Sequence, residues 1–187
     1  WNRAPLMLKK VLIGLFLFAL AKSSDMYLLM HAKSLGWDDS GVIGLYILYN
    51  LAYAALSYPV GKMADRLGMK FVYVLGLACF IAVYAGFASA TNKFALIPLV
   101  LVYGLFAACN EGMAKAWISN MVPKAEVATS LGFYSGINGI AVLLSGALTG
   151  WLWGFFSPTV ALAASAALAC LAMLWMLALK PDKKSSF

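Results

Sequence analysis

Gly61-Lys62-Met63-Ala64-Asp65-Arg66-Leu67-Gly68-Met69-Lys70 is the stretch on which the reading of this chain turns. It gathers basic side chains, an acid and two glycines within a sequence that is 64% hydrophobic and only 11% charged. Residues 41–60 precede it and residues 71–90 follow it, and both are near-continuous apolar runs. A membrane-crossing helix needs about 20 apolar residues, so the stretch reads as a tight polar turn between two spans. Gly61 and Gly68 allow close backbone approach or positive φ. Asp65 is placed to accept hydrogen bonds at a helix N-terminus. Arg66 and Lys70 anchor the turn at the cytoplasmic surface. The plainer reading is a basic loop and nothing more.

Working outward, the same length criterion gives six spans, at about 8–30, 41–60, 71–90, 94–121, 127–153 and 158–179. The expected fold is an all-α membrane protein with almost nothing left over for a soluble domain. A soluble domain runs near half apolar and a quarter charged; the mean hydropathy here is +0.87. The first segment is too long for a signal peptide and carries Lys22 and Asp25. The chain opens on Trp1, which reads as a piece of a longer protein. Cys79, Cys109 and Cys170 fall inside apolar segments and read as small buried hydrophobes, not as a disulfide or metal site.

The basic residues set the orientation. Arg3, Lys9, Lys10, Lys62, Arg66, Lys70, Lys124, Lys180, Lys183 and Lys184 fall on one face, against Lys33 and Lys93 on the other. By the positive-inside rule both termini are cytoplasmic. The net charge of +7 is then topology, and a nucleic-acid partner is not expected. Trp37, Trp117, Trp151, Trp153 and Trp175 stand near span ends, as an aromatic belt predicts.

An internal repeat adds detail. Gly44, Tyr46 and Asn50 recur as Gly132, Tyr134 and Asn138, 88 positions later. That offset maps the first three spans onto the last three, giving repeat units of about 8–91 and 94–179. It sets Lys22 on Asn110, Ser23 on Glu111 and Ser57 on Ser145. Because three spans reverse the chain's direction, the two units are inverted in the membrane.

Charges inside a span are costly and default to a functional hypothesis. Lys22 and Asp25, three apart, share a helical face in the first span, and Glu111 and Lys115, four apart, share one in the fourth. Tyr46, Tyr53 and Asn50 share a face in the second span, and Asn138 lies in the fifth. One reading is a polar cavity in which Asp25 or Glu111 takes up and releases a proton while Lys22 and the asparagines hold a small solute. The other is structural: Lys22–Asp25 and Glu111–Lys115 pair internally, Lys115 snorkels to the interface, and the asparagines join helices. Gly132/Gly136 and Gly146/Gly150 read as close helix packing. His31, at the outer end of the first span, reads as an interfacial histidine.

The opening stretch resembles the loop signature of the major facilitator superfamily, matching it at Gly61, Ala64, Asp65, Arg66, Gly68 and Lys70; Met63 and Met69 depart mildly. Asn110-Glu111-Gly112 through Ala116, Pro123 and Gly132 resembles the helix 10–11 region of many bacterial members. The resemblance covers nearly the whole chain and implies helices 7–12, the C-terminal half, of an inverted 3+3 bundle in a bacterial inner membrane. It implies that Lys22, Asp25, Asn110 and Glu111 line a central cavity and that Asn50 and Asn138 face the other half. It implies that the gate loop of Gly61, Asp65, Arg66, Gly68 and Lys70 docks at the interface between halves.

The expected activity is secondary transport of a small organic solute by alternating access. It would be driven by a proton or ion gradient, with no cofactor. The expected partners are the lipid bilayer and either an N-terminal six-helix half or a second copy of this one. A channel or a non-transporting scaffold or receptor is the alternative. An intramembrane serine protease is disfavoured, since Ser135 lies mid-span, His31 lies near the outer surface and no Gly-x-Ser-x-Gly occurs.

Overall fold

The structure is a computed structural model that describes residues 6–179. Arg3, Lys180, Lys183 and Lys184 of the charge bias lie outside the described residues. Within them the chain is helical throughout: α1 (Leu6–Ala21), α2 (Asp25–Ser34), α3 (Asp39–Leu67), α4 (Met69–Ser89), α5 (Leu96–Asn110), α6 (Met113–Ser119), α7 (Val127–Phe155) and α8 (Pro158–Ala178), with short 3-10 turns at Lys93–Ala95 and Lys124–Glu126. Five helical stretches are long and apolar enough to cross a membrane: Asp39–Leu67, Met69–Ser89, Lys93–Ser119, Lys124–Phe155 and Pro158–Ala178.

The first expected span is corrected. It is not one helix but α1 and α2, of 16 and 10 residues, separated at Lys22-Ser23-Ser24. Ser24 takes extended backbone and its hydroxyl accepts from Met26 N, capping α2, with Asp25 in the favoured first turn. The fourth span is interrupted as well. Gly112, at φ +79°, breaks it between α5 and α6. Elsewhere local sequence sets the ends as expected of it: Asp38 caps α3 at Gly41 N, and Ser157 caps α8 with Pro158 in its first turn.

The opening stretch is also corrected. Gly61, Asp65 and Arg66 lie in the last two turns of α3, so Gly68, at φ +93°, is the whole joint between α3 and α4. A side chain caps neither helix there, and Asp65 is exposed at the C-terminal end of α3, not at a helix N-terminus. Lys70 bonds the carbonyls of Leu177, at 3.2 Å, and Leu179, and so satisfies the free C-terminal end of α8.

The core lies between α1, α4 and α5. Phe18, Phe80 and Phe106 meet edge to face at 5.1–5.8 Å, and Tyr84 stacks on Phe80 at 4.0 Å. Around it α3 packs on α5 and α4, and α7 packs on α1 and α8; α4 packs on α5 and α8, α1 on α8, α2 on α3, and α6 on α7. The two longest helices bury the smallest share of their residues: only Leu45, Tyr49, Val60 and Ala64 of α3, and only Ala141, Ser145 and Thr149 of α7.

Of the four fifth-span glycines paired by spacing, Gly150 alone makes a close approach. A Cβ on Gly132, Gly136 or Gly146 would meet nothing within 4 Å, whereas one on Gly104 would lie 2.6 Å from Ala52 Cβ, where α5 crosses α3. Trp117 is buried at 3% exposure rather than belted at a surface. His31 is buried too, with Nε2 3.0 Å from Phe87 O at the end of α4.

Candidate functional site

The two helix breaks face one cavity of about 640 Å³. The first break contributes Lys22, Ser23, Ser24 and Asp25, and the second contributes Asn110, Glu111 and Gly112. Asn138 and Tyr134 reach it from α7, Tyr53 from α3, and Phe18, Tyr73 and Phe106 form apolar wall. Lys22, Asp25, Asn110, Glu111 and Asn138 are therefore brought together. Tyr46 and Asn50 are not. Tyr46 lines a smaller, apolar cleft with Tyr49, Leu45 and Val100, and Asn50 Nδ2 donates to the Tyr46 carbonyl of its own helix at 2.8 Å. Asp25 lines both spaces.

The breaks change the ion pairing. Helical spacing pairs Lys22 with Asp25 and Glu111 with Lys115, but neither pair shares an unbroken helix. Lys22 Nζ instead lies 3.7 Å from Glu111 Oε1, bridging one break to the other, and 5.6 Å from the Phe106 ring. Both side chains are more than a quarter exposed, so the attraction is screened and worth about 0–1 kcal/mol. Asp25 takes a different partner: the Tyr103 hydroxyl donates to its Oδ1 at 2.5 Å, from α5. Beside it Ser23 Oγ and the Tyr84 hydroxyl share a buried hydrogen bond of 2.8 Å.

Breaking a helix in a membrane frees backbone groups that must be satisfied internally. Ser145 Oγ on α7 donates to Lys22 O at 3.0 Å, and the Tyr27 hydroxyl donates to Gly146 O at 3.1 Å, so α7 is stitched to the first break from both sides. A Cβ on Gly150 would lie 2.8 Å from the Tyr27 hydroxyl, which explains the glycine there. Asn110 is 8% exposed; its Nδ2 donates to Phe106 O at 3.2 Å, while its Oδ1 has no partner.

Spacing arguments missed Tyr103, Tyr84, Ser23 and Ser145. Their signal is faint: a hydroxyl inside an apolar run, and for Ser145 its match to Ser57 in the repeat. Asp65 and Arg66 of the gate stretch are exposed and lie on α3, away from the cavity lining.

Membrane-crossing helices interrupted around a polar cavity are the arrangement in which transporter folds place their binding sites. Sequence similarity supplies the family. The chain belongs to the Major Facilitator Superfamily, whose model matches residues 11–187. The family is made up of transporters rather than enzymes, and the chain is an integral, multi-pass membrane protein. It is 32% identical over 155 residues to an uncharacterised MFS-type transporter of Methanocaldococcus jannaschii, covering 80% of this chain and 39% of that protein. It is 29% identical to an MFS-type transporter of Mycobacterium tuberculosis, over 62% of this chain and 21% of the relative, and 29% identical to a multidrug transporter protein of Bacillus subtilis, over 61% and 22%. The matches thus span under half the length of these relatives.

Proposed function

We propose that the chain is one six-span half of a secondary carrier that moves a small organic solute by alternating access, coupled to a proton through Asp25. The observation that carries this reading is the cavity shared by two helix breaks. Discontinuous helices meeting at mid-depth are how carriers present polar groups to a solute inside a bilayer. Here the breaks supply Lys22, Asp25, Asn110 and Glu111, and α7 adds Asn138.

The six spans are read as two inverted units of three: α1/α2, α3 and α4, then α5/α6, α7 and α8. Two facts support this. The offset of 88 carries Lys22-Ser23-Ser24 onto Asn110-Glu111-Gly112, so break falls on break. Exchanging the units also carries observed packing onto observed packing: α3 on α5 becomes α7 on α1, α4 on α5 becomes α8 on α1, α3 on α4 becomes α7 on α8, and α2 on α3 becomes α6 on α7.

The cavity's charges cannot face lipid cheaply. The sparse burial of α3 and α7 supports the reading that a second six-span unit closes the cavity on that side. We assign that unit to the same polypeptide or to a second copy, with both termini on the cytoplasmic, basic-rich side of a bacterial inner membrane. The stretch from Gly61 to Lys70 acts at that junction; Lys70 does so while fixing the end of α8.

Asp25→Asn in the full-length protein tests the coupling. Gradient-driven transport in proteoliposomes should fall at least tenfold while solute counterflow persists. Driven transport at the wild-type rate removes Asp25 as the coupling group.

A further inference from the structure

Among the described residues, one buried side-chain atom is left without a hydrogen-bond partner, Asn110 Oδ1; its residue lines the cavity, and the atom itself is covered in the present arrangement. Turning the amide does not cure this. Nδ2 already donates to Phe106 O, and a flip would set two acceptors against each other. A buried acceptor of this kind calls for a donor.

Three features say what kind of donor. Glu111, next in the chain, puts a carboxylate on the same cavity. Phe106, one turn back, offers a ring face, which attracts cations. The chain's own Lys22 ammonium already stands in this corner, 3.7 Å from Glu111 Oε1 and 5.6 Å from the Phe106 centroid. A closed ammonium–carboxylate hydrogen bond measures about 2.7–2.9 Å. Lys22 is therefore drawn to the corner without filling it, and Asn110 Oδ1 gains nothing from it.

We propose that the solute carries a protonated primary or secondary amine, and that this ammonium docks between Asn110 Oδ1 and the Glu111 carboxylate, over Phe106, in the place where Lys22 now stands. Its transport rests on the carrier reading above; its binding does not. A neutral hydroxyl would satisfy Asn110 and leave Glu111 and Phe106 unused. A quaternary ammonium would use the charge and the ring but bring no N–H. Lys22 is then a resident competitor, not a group that holds the solute, and its removal should strengthen binding.

The test uses the purified full-length protein in detergent, with ligand-induced thermal stabilisation as the readout. The probes are 2-phenylethylamine, its trimethylammonium analogue and 2-phenylethanol, at neutral pH. The amine should bind about tenfold more tightly than either analogue, the scale of one charge-assisted hydrogen bond. Asn110→Ala should narrow its preference over the quaternary ion, and Glu111→Gln its preference over the alcohol, each severalfold. Lys22→Met should tighten the amine about tenfold on the same scale. If that variant does not fold, Lys22→Gln, which keeps a polar side chain without the charge, carries the same expectation. Equal binding of the three probes, no binding of the amine, preferences that the variants leave unchanged, or weaker amine binding without Lys22 would overturn the proposal. Counterflow in proteoliposomes separates the two readings. Amine binding without any flux refutes the carrier and leaves the ammonium site standing. Flux of a solute that no amine displaces does the reverse.

Discussion

Alanine at Gly76 is the sharpest probe of where Asn110 sits. Gly76 lies on α4 where α5 passes, and a Cβ there would stand 1.7 Å from Asn110 Nδ2, 2.9 Å from Asn110 Cγ and 2.8 Å from Cys109 Cβ. Either Asn110 swings away and gives up its bond to Phe106 O, or α4 and α5 separate. Overpacking of this kind costs about 1–3 kcal/mol, and the lost hydrogen bond adds about 1 kcal/mol. Replacing a mid-helix glycine returns about 1 kcal/mol, so Gly76→Ala should destabilise by about 1–3 kcal/mol net. The double variant Gly76→Ala/Asn110→Ala removes both contacts to the amide and leaves only the one to Cys109. It should be more stable than the sum of the single variants by about 1–2 kcal/mol, as for directly touching residues. Equilibrium unfolding of the full-length protein in detergent measures all corners of this cycle. A neutral Gly76→Ala, or an additive cycle, would mean that Asn110 does not pack against α4, and the ammonium corner would lose its acceptor.

Other contacts make separate predictions. Ser145→Ala leaves the Lys22 carbonyl without its donor and should cost about 1 kcal/mol in unfolding measurements, whereas Ser145→Thr keeps the hydroxyl and most of the stability. Lys70→Met frees the last carbonyls of α8; amide hydrogen exchange there should speed by about threefold to tenfold, as for loss of a cation at a helix C-terminus. Tyr103→Phe removes the donor to Asp25 and should cost about 1–2 kcal/mol, with a change in the pH profile of driven transport larger than any change in counterflow. His31→Phe should destabilise by about 1–2 kcal/mol through the Phe87 carbonyl it leaves unpaired.

The apolar segments were legible because a bilayer demands long uninterrupted runs, and the sequence has them. The glycine-bounded joint after α3 was legible as a turn, although it is one residue long rather than ten. The helix breaks were not, and the reason is averaging: three polar residues at Lys22–Ser24 vanish inside a hydropathy window of about 20. Their signal was nonetheless in the chain. Ser24 followed by Asp25 is a helix-start signature, and Gly112 inside a helical run is a breaker. Missing them misassigned the ion pairs, because residues three and four apart meet only along a continuous helix. Partners such as Tyr103 for Asp25 lie 78 positions away and leave no local trace. Glycine spacing misled for a related reason. Closeness depends on what the other helix brings, and α3 and α5 meet at Gly104 while the glycines at 132 and 136 face open space.

Alternating access is tested most directly at Val142, an apolar residue of the cavity wall on α7. In the full-length protein with every cysteine replaced, Cys79, Cys109 and Cys170 among them, Val142→Cys is exposed to a membrane-impermeant maleimide from one face of sealed vesicles and then from the other. A carrier predicts labelling from both faces, with conditions that raise the rate from one face lowering it from the other. Labelling confined to one face under every condition, or rates that rise together from both, would contradict it.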